Sequence, residues 1–256
     1  MKKIKIDVQK LFDTGAHLGH QTKRWDPRIT PYLYGSREGV HVFDLDKTQK
    51  ALEEVLGVLT KASKDGKRII VVGTKSQAQE SVEKLGKNTG VMYVSKRWLG
   101  GTLTNIGQIK KSLTKLEDLQ GKTAPKEYGN MTKFERLQMK RAMEKLETMF
   151  GGITELKEVP DLMIIVDVNR ESSAVAEAKT MGVETIGFVD SNSDPYCVDW
   201  PIPMNDDSVS AIEYVLGLFE TAINMGKKVV KVKAEVKKVK AKAKPKTKRK
   251  VTKSEK

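Results

Sequence analysis

Two segments of this sequence follow one strand–helix–strand pattern, and that repeated pattern constrains the fold more than any other feature. They read KRIIVVGTKSQAQESVEKLG and PDLMIIVDVNRESSAVAEAKTMG, and each opens with a short apolar run followed by a helical stretch. The apolar runs lack the alternation of a half-exposed strand, which is typical of strands covered by helices on both faces. The pattern predicts an α/β domain with a mostly parallel sheet and right-handed crossovers.

The same signals predict the other elements of the chain. The predicted strands are the short apolar runs Val40–Phe43, Ile69–Val72, Val91–Val94, Leu162–Val166 and Ile186–Val189. The first predicted helix has Asp44 or Asp46 as its cap and continues through Leu59. The other predicted helices are Ser76–Leu85, Glu171–Met181 and Ser208–Met225.

Two regions show little periodicity. In the first 35 residues only Val8–Leu11 has a helical pattern. The Pro- and Asp-rich segment SNSDPYCVDWPIPMNDDS is predicted as a loop. Asp206, Asp207 and Ser208 at its end are predicted to cap the last helix or stand in its first turn.

Two apolar stripes between the repeated units predict a helical insertion over residues 104–150. Their members step by three and four residues, and they are Ile106, Ile109, Leu113, Leu116 and then Met139, Met143, Leu146, Phe150. Such narrow seams suit helices that pack on each other, and GKTAPKEYGN breaks the chain between them. We predict an antiparallel coiled-coil hairpin inserted into a main domain of residues 1–226.

The positive charge of the chain is concentrated at its C-terminus. Residues 227–256 hold 15 Lys or Arg and 2 Glu, whereas residues 1–226 carry a net charge of only +1. Residues 227–256 are too charged and too poor in aromatic residues to form a core, so we predict a disordered basic tail. Within the body, residues 1–37 have a net charge of +5 and residues 161–226 of −10. This asymmetry favours a protein that binds a polyanion with one face and turns another face away from it.

Several classes of protein are excluded by simple criteria. The longest apolar runs are about as short as Leu162–Val166, far below the roughly 18 residues of a membrane-spanning helix. The start, MKKIKIDVQKLFD, lacks the apolar region of a secretory signal. The single cysteine, Cys197, has no internal partner for a disulfide, which fits a reducing compartment. We therefore expect a cytoplasmic protein.

The sheet is of a type that carries many nucleotide-binding enzymes, yet its turns lack their motifs. VGTKSQAQE contains Gly73, Lys75 and Ser76 without the G-x-x-x-x-G-K-[ST] spacing, and DVNRES contains no glycine. Cys197 has no predictable histidine partner and is expected to be inert. We predict no catalysis, and keep a nucleotide enzyme that binds near Gly73–Ser76 as an alternative.

The histidines are few and do not form a clear metal motif. His17 and His20 stand as H-x-x-H, and His41 is the only other histidine of the chain. A metal site needs a third or fourth ligand, for which Cys197 or an aspartate is a remote candidate. Since GAHLGH contains two glycines, a shared helical face is not expected. We favour structural or RNA-contacting histidines and predict no metal and no other cofactor.

Two segments combine cations and aromatic residues in the way that suits irregular RNA. HQTKRWDPRITPYLYGSR interleaves four cations with one tryptophan and two tyrosines, and SKRWLGGTLTN repeats the combination beside a pair of glycines. Cations bind phosphates, while aromatic faces stack on exposed bases. For the first segment, the alternative is a loop that its aromatic residues hold to the body. For the second segment, the alternative is a turn that enters the hairpin. In both alternatives the cations are merely solvated.

Four segments together carry a family resemblance. They are LFDTGAHLGHQTKRWDPRITPYLYGSREGVHVFDLDKT, RWLGGTLTN, PDLMIIVDVNRESSAVAEA and TIGFVDSNSDPYCVDWPIPMNDDSVSAI. In this order they closely resemble the bacterial family of small-subunit ribosomal protein two, over nearly all of residues 1–226 and without the tail. The resemblance implies a Rossmann-like or flavodoxin-like domain with an inserted coiled-coil hairpin.

The resemblance also implies a function. It implies a non-catalytic constituent of the small ribosomal subunit that binds the large RNA of that subunit, between head and body on the solvent side. The implied protein partners are neighbouring small-subunit proteins, including the largest one, which captures messenger RNA. No membrane and no small-molecule substrate is implied. A protein-interaction platform on residues 161–226 or on the hairpin is a further hypothesis that is compatible with this function.

Matching motif positions provide the candidate contact residues. The candidates for RNA contact are Lys23, Arg24, Arg28, Lys96 and Arg97, with Trp25 and Trp98 as supports. The resemblance assigns no role to Cys197, and it does not by itself place zinc on His17 and His20.

Overall fold

The computed structural model describes the backbone of residues 4–122 and 132–242, and the side chains of residues 4–121 and 132–228. The helices are α1 (Val8–Asp13), α2 (Leu45–Lys64), α3 (Ser76–Thr89), α4 (Ile106–Lys122), α5 (Lys133–Phe150), α6 (Ser172–Met181) and α7 (Val209–Lys242). The strands are β1 (Leu18–Gln21), β2 (Leu33–Arg37), β3 (Val40–Phe43), β4 (Ile69–Val72), β5 (Met92–Val94), β6 (Leu162–Ile165), β7 (Glu184–Val189) and β8 (Trp200–Pro203).

The main sheet has five parallel strands in the order β5-β4-β6-β7-β8. Successive residues of its central strands enter different cores. Ile69 and Val71 pack with α2, α3 and α7, whereas Ile70 and Val72 pack with α6 and with residues of α4 and α5. Both faces of the sheet are therefore apolar, which explains the continuous apolar runs. The predicted α/β class with a mostly parallel sheet is confirmed.

The predicted helix after β3 is confirmed as α2, and Asp44 rather than Asp46 caps it. The Asp44 carboxylate accepts the backbone N–H of Asp46 at 3.1 Å and lies 3.2 Å from Lys47 Nζ. The buried face of α2 packs mainly against α7.

Replacing Asp44 with alanine is expected to lower the free energy of unfolding by about 1 kcal/mol, because the first turn of α2 loses its side-chain acceptor. Urea unfolding followed by circular dichroism measures the change. The control is Asp46→Ala, which removes a first-turn carboxylate that caps nothing and is expected to cost about 0.3 kcal/mol. Equal losses in the two variants would contradict the capping role of Asp44.

The predicted loop before α7 contains a strand, so that prediction is wrong for Trp200–Pro203. β8 pairs in parallel with β7 over four residue pairs and forms one edge of the sheet. Prolines 201 and 203 weaken the strand signal, because proline lacks the N–H that a central strand needs. An edge strand tolerates them, since only one side of its backbone pairs with a neighbour.

The N-terminal region is more regular than its sequence indicates. β1, β2 and β3 form a second, antiparallel sheet in the order β1-β3-β2, of which only β3 is predicted from the sequence. β1 and β2 are short, mostly exposed and interrupted by register shifts, so they lack the apolar pattern of a buried strand. We call residues 18–43, which contain this sheet, the N-terminal arm.

The start of α7 differs in its capping from the prediction. Ser208 Oγ accepts the backbone N–H of Ala211 at 3.3 Å, as a cap should. Asp206 and Asp207 do not cap the helix, because their carboxylates pair with Lys75 instead.

The end of α7 also differs from the prediction. The helical backbone continues through Lys242, whereas a disordered tail is predicted from residue 227. Lysine and alanine have high helix propensity, and adding turns to an existing helix requires no new nucleation. Residues 243–256 lie outside the described residues.

The helices α4 and α5 occupy the predicted insertion. Ile109, Leu113 and Leu116 of the first predicted stripe are buried, as is Phe150 of the second. Residues 123–131, which connect the helices, lie outside the described residues. The coiled-coil hairpin therefore stays a prediction, as do the limits 1–226, 104–150 and 227–256.

Candidate nucleic-acid interface

The N-terminal arm is attached to the body at the carboxyl end of β7. The backbone N–H of Asp26 donates to the carbonyl oxygen of Ser191 at 2.8 Å, and that of His20 donates to Ser191 Oγ at 2.7 Å. Gly19 permits this approach, because a Cβ there would lie 2.8 Å from Ser191 Oγ. Ile29 is fully buried in the core. Backbone contacts and the buried side chains of Ile29 and Phe43 thus hold the arm in place.

Lys23 and Arg24 belong to a short 3-10 turn, Thr22–Arg24, that directly follows β1. Both side chains are exposed, and neither makes an ion pair or a hydrogen bond within the described residues. Trp25 is 36% exposed and packs on His41, with ring centroids 4.9 Å apart. Two uncompensated cations therefore stand beside a partly exposed indole, which suits contact with phosphates and a base.

The charge of Arg28 is already compensated inside the chain. Its guanidinium lies 2.6 Å from Asp26 Oδ2 and 2.5 Å from Asp194 Oδ2, and its Nε donates to Asp26 Oδ1 at 3.0 Å. Hydrogen bonds from Arg28 lower the pKa of the Asp26 carboxyl. Arg28 thus connects the arm to the turn after β7 and offers less free charge than Lys23 or Arg24.

One carboxylate, that of Glu177 on α6, holds the second cationic segment. It accepts hydrogen bonds from Trp98 Nε1 at 3.1 Å and from the backbone N–H groups of Gly101, Leu103 and Thr104 at 2.8, 2.9 and 3.2 Å. Gly101 has φ of +90°, a conformation that favours glycine. Burial alone would raise the pKa of Glu177, but these donors hold it below its ordinary value.

Within this second segment Arg97 carries the free charge. Lys96 Nζ donates to Gln79 Oε1 at 2.9 Å and lies 3.8 Å from Glu83. Arg97 is exposed, and its side chain contacts no hydrogen-bond or ion-pair partner in the described part of the chain. Trp98 is buried, so it supports the loop and does not offer its ring to a base.

Both segments lie at the same edge of the main sheet. Because the five strands are parallel, their carboxyl ends lie together along one border of the sheet, the carboxyl edge. Arg97 follows β5 at this edge, and the arm contacts the residues after β7. Three strand spacings separate β5 from β7, a distance of about 14 Å. Arg170, exposed just after β6, lies between them, and its Nε donates to Thr74 Oγ1 at 3.2 Å. We call Lys23, Arg24, Arg97 and Arg170 the edge cations.

Three exposed residues, two on the arm and one after β6, are absent from the sequence-derived candidates. Tyr34 is 84% exposed on β2, and Arg37 at the end of that strand is exposed. Arg170 is the third. Tyr34 and Arg37 belong to the segment in which cations and aromatic residues alternate, so the sequence could have identified them. Arg170 is recognised only once β6 is placed between β4 and β7.

The turn after β4 has no free lysine for a nucleotide phosphate. Lys75 Nζ lies 2.5 Å from a carboxylate oxygen of Asp206 and of Asp207, and 3.3 Å from Asp167. Burial opposes its charge, but these carboxylates raise the pKa of Lys75 above its ordinary value. A Cβ on Gly73 would lie 2.9 Å from a side-chain carbon of α3, so the backbone there is closely packed. This geometry disfavours the nucleotide-enzyme alternative.

The three histidines do not share a site. His17 stacks on Phe12 with ring centroids 4.3 Å apart, and burial lowers its pKa. His41 is buried in the arm, and His20 points toward the carboxyl end of β7. Among the described residues, the one group of His, Cys, Asp and Glu side chains that brings three potential ligand atoms within 4.8 Å of one another is His20, Asp190 and Asp207. H-x-x-H therefore does not act as a ligand pair.

Comparison with known proteins assigns the chain to a family. The family described as ribosomal protein S2 matches residues 11–226. The small ribosomal subunit protein uS2 of Nitratiruptor sp. is 40% identical over 224 residues, which cover 88% of this chain and 84% of that protein. The protein of the same name from Picosynechococcus sp. is 38% identical over 225 residues, 87% of each chain. The chain therefore belongs to the ribosomal protein S2 family.

Proposed function

We propose that this chain binds the ribosomal RNA of the small subunit through its edge cations. Membership of the ribosomal protein S2 family makes it a structural constituent of the small ribosomal subunit and not an enzyme. The proposal adds the surface by which it is held there: Lys23, Arg24, Arg97 and Arg170 contact phosphates, and Trp25 or Tyr34 contacts exposed bases.

The observation that carries the proposal is the difference between free and compensated cations. Arg28 and Lys96 have carboxylate or amide partners within the chain, whereas Lys23, Arg24 and Arg97 have none among the described residues. The three free cations stand on segments that buried contacts hold at one edge of the sheet. Cations that are held in place and lack partners within the chain are free to bind the phosphates of a sugar-phosphate backbone.

Co-sedimentation with small subunits lacking this protein tests the proposal. We expect one full chain to bind per small subunit. We also expect a plot of log affinity against log salt concentration to fall with a slope of about −3 or steeper. A chain without residues 229–256 keeps Lys227, which donates to the carbonyl of Thr89, and is expected to bind with a smaller slope. Failure to co-sediment, or binding that salt does not weaken, would contradict the proposal.

The proposal includes docking of the largest small-subunit protein, which the family resemblance supports. Arg170 is the one edge cation within residues 161–226, and that region holds 12 acidic residues against Arg170 and Lys179, which favours a protein partner on its exposed acidic side chains. We expect reconstituted small subunits that lack this chain to retain less of the largest protein than subunits that contain it. Equal retention would contradict this part of the proposal.

The proposed location is the ribosome of the cytoplasm. The named relatives are small ribosomal subunit proteins. Over residues 4–122 and 132–242, none of the helices combines the length and hydropathy of a membrane span.

A further inference from the structure

One histidine of the N-terminal arm has a buried ring without a polar partner. His41 stands on β3, opposite Ser36 of β2, and is only 9% exposed. Neither of its ring nitrogens, Nδ1 or Nε2, forms a hydrogen bond with any residue that the structure describes. Burying a polar group without a partner is costly, and native structures normally satisfy such groups. The ring of His41 is therefore suited to a hydrogen bond with another molecule.

The indole of Trp25 lies on this ring and is itself free of hydrogen bonds. The two ring centroids are 4.9 Å apart, and the ring planes meet at 39°. Trp98 and Trp200 each donate their indole N–H to a glutamate, at 3.1 and 3.0 Å. Trp25 Nε1, by contrast, donates to no residue in the described ranges. Movement of the Trp25 ring off His41 therefore breaks no hydrogen bond.

The backbone on both sides of Trp25 is held in place. The backbone N–H of Thr22 donates to the carbonyl oxygen of Gly39 at 2.9 Å, and that of Asp26 donates to the carbonyl oxygen of Ser191 at 2.8 Å. Trp25 itself has an extended backbone, with φ of −82° and ψ of 157°. Its side chain is thus able to turn about its own bonds while the arm keeps its position.

The pair of rings stands beside two of the free cations. Lys23 and Arg24 directly precede Trp25, are exposed, and have no ion-pair partner in the part of the chain that the structure describes. An RNA strand whose phosphates contact these cations carries its bases close to the indole, and unstacked bases stack readily on aromatic side chains. When the indole turns toward a base, the ring nitrogens of His41 become accessible to the same strand.

We propose that Trp25 and His41 form a binding unit for one unstacked nucleotide of the small-subunit RNA, an inference that rests on the proposed function. Trp25 turns away from His41 and stacks on the base. The uncovered His41 then donates a ring N–H to a phosphate oxygen of the strand. Binding replaces a buried ring without a partner by a hydrogen-bonded ring, so the cost of the free state favours the bound state.

Filter binding to purified small-subunit ribosomal RNA at pH 8, where histidine is ordinarily uncharged, tests the proposal. His41→Phe keeps an aromatic ring under Trp25 and removes both ring nitrogens. It is expected to bind RNA about fivefold more weakly, because the hydrogen bond to phosphate is lost. Its Tm is expected to rise by about 2 to 4 °C, because no polar ring atom remains buried. His41→Leu replaces it in the test if circular dichroism shows that His41→Phe does not fold.

Three further measurements separate a hydrogen bond to RNA from a disturbed arm. The salt slope is expected to stay unchanged in His41→Phe, because an uncharged donor releases no counterion. His41→Gln keeps an N–H donor and is expected to bind RNA within about twofold of the parent chain. Trp25→Ala is expected to bind about tenfold more weakly, because the base loses its stacking partner.

The matched control is His17→Phe. His17 stacks on Phe12 and has a buried Nδ1 without a partner among the described residues, but it lies outside the proposed unit. Its RNA affinity is expected to equal that of the parent chain. An equal loss of affinity in His17→Phe would overturn the proposal, because the effect would then not be specific to His41.

The other contrary outcomes are equally definite. The proposal is overturned if the folded His41→Phe or His41→Leu variant binds RNA as the parent does, if the Tm of both falls, or if His41→Gln binds as weakly as they do. It is also overturned if Trp25→Ala binds unchanged, or if the salt slope of His41→Phe flattens as much as that of Arg24→Ala. A parent chain that does not bind the RNA contradicts the proposed function instead. Parent binding with the expected salt slope and no effect at His41 contradicts this inference alone.

Discussion

Replacing Lys23, Arg24 and Arg97 together with alanine is expected to weaken binding to small-subunit RNA on the order of 100-fold, since each loses roughly 1 kcal/mol of charged contact. The salt dependence should flatten at the same time, by about 2 to 3 in the slope of log affinity against log salt. Both effects follow from the absence of carboxylate partners for these cations in the described part of the chain. Filter binding over a series of salt concentrations measures them together.

The matched control removes three cations from the opposite edge of the sheet. Lys61 and Lys64 stand at the end of α2 and Lys157 stands before β6, so all three lie near the amino ends of the strands. Their triple replacement with alanine changes the net charge equally and is expected to leave the slope almost unchanged. Comparable losses in both triple variants would show that net charge alone, and not the edge cations, determines binding.

A comparison of single variants separates free from compensated charge. Arg24→Ala is expected to reduce the salt slope by about 1. Arg28→Ala should reduce it less, because Asp26 and Asp194 already compensate the guanidinium. A larger effect from Arg28→Ala would contradict the assignment of Arg28 as a connection between the arm and the body.

Replacing Glu177 with alanine is expected to lower the free energy of unfolding by about 2 kcal/mol and to weaken RNA binding through Arg97. One carboxylate accepts hydrogen bonds from Trp98 and from three backbone N–H groups, so its loss leaves several donors without an acceptor. The loop that carries Arg97 then loses its fixed position. Denaturant unfolding and filter binding measure the two losses.

The Glu177→Gln variant tests the same contact through its pH dependence. The pKa of Glu177 in the folded chain lies below the ordinary value of 4.5, because backbone donors overcome the effect of burial. Its contribution to stability is therefore fully present above pH 4.5 and is lost as the pH falls through the folded pKa. The parent chain should lose stability more steeply in acid than Glu177→Gln. Parallel curves for both proteins would contradict the contact.

The elements that sequence predicts well are those whose pattern reflects complete burial. β4 and β6 are apolar at every position because helices cover both of their faces, and this pattern is visible without any knowledge of neighbours. The cap of α2 is predictable to within two residues, as Asp44 or Asp46, for a similar reason, since a capping side chain contacts the backbone two residues away. Local patterns are sufficient for such features.

The features that sequence misses depend on distant partners. Arg24 and Arg28 stand in the same cationic segment, yet only Arg28 meets Asp194, 166 residues further along the chain. In the same way, His17 and His20 stand three residues apart in the sequence, whereas the fold stacks His17 on Phe12 and directs His20 to Asp190. No local spacing contains this information, because the order of strands in the sheet decides which side chains meet.

The prolines of β8 have a consequence for the behaviour of the chain at high concentration. β8 closes one side of the main sheet, and Pro201 and Pro203 alternate along it. Neither proline has a backbone N–H to donate to a strand of a second molecule. Intermolecular strand pairing along this border is therefore interrupted. The two prolines thus act against sheet growth and aggregation at this border when the protein is concentrated.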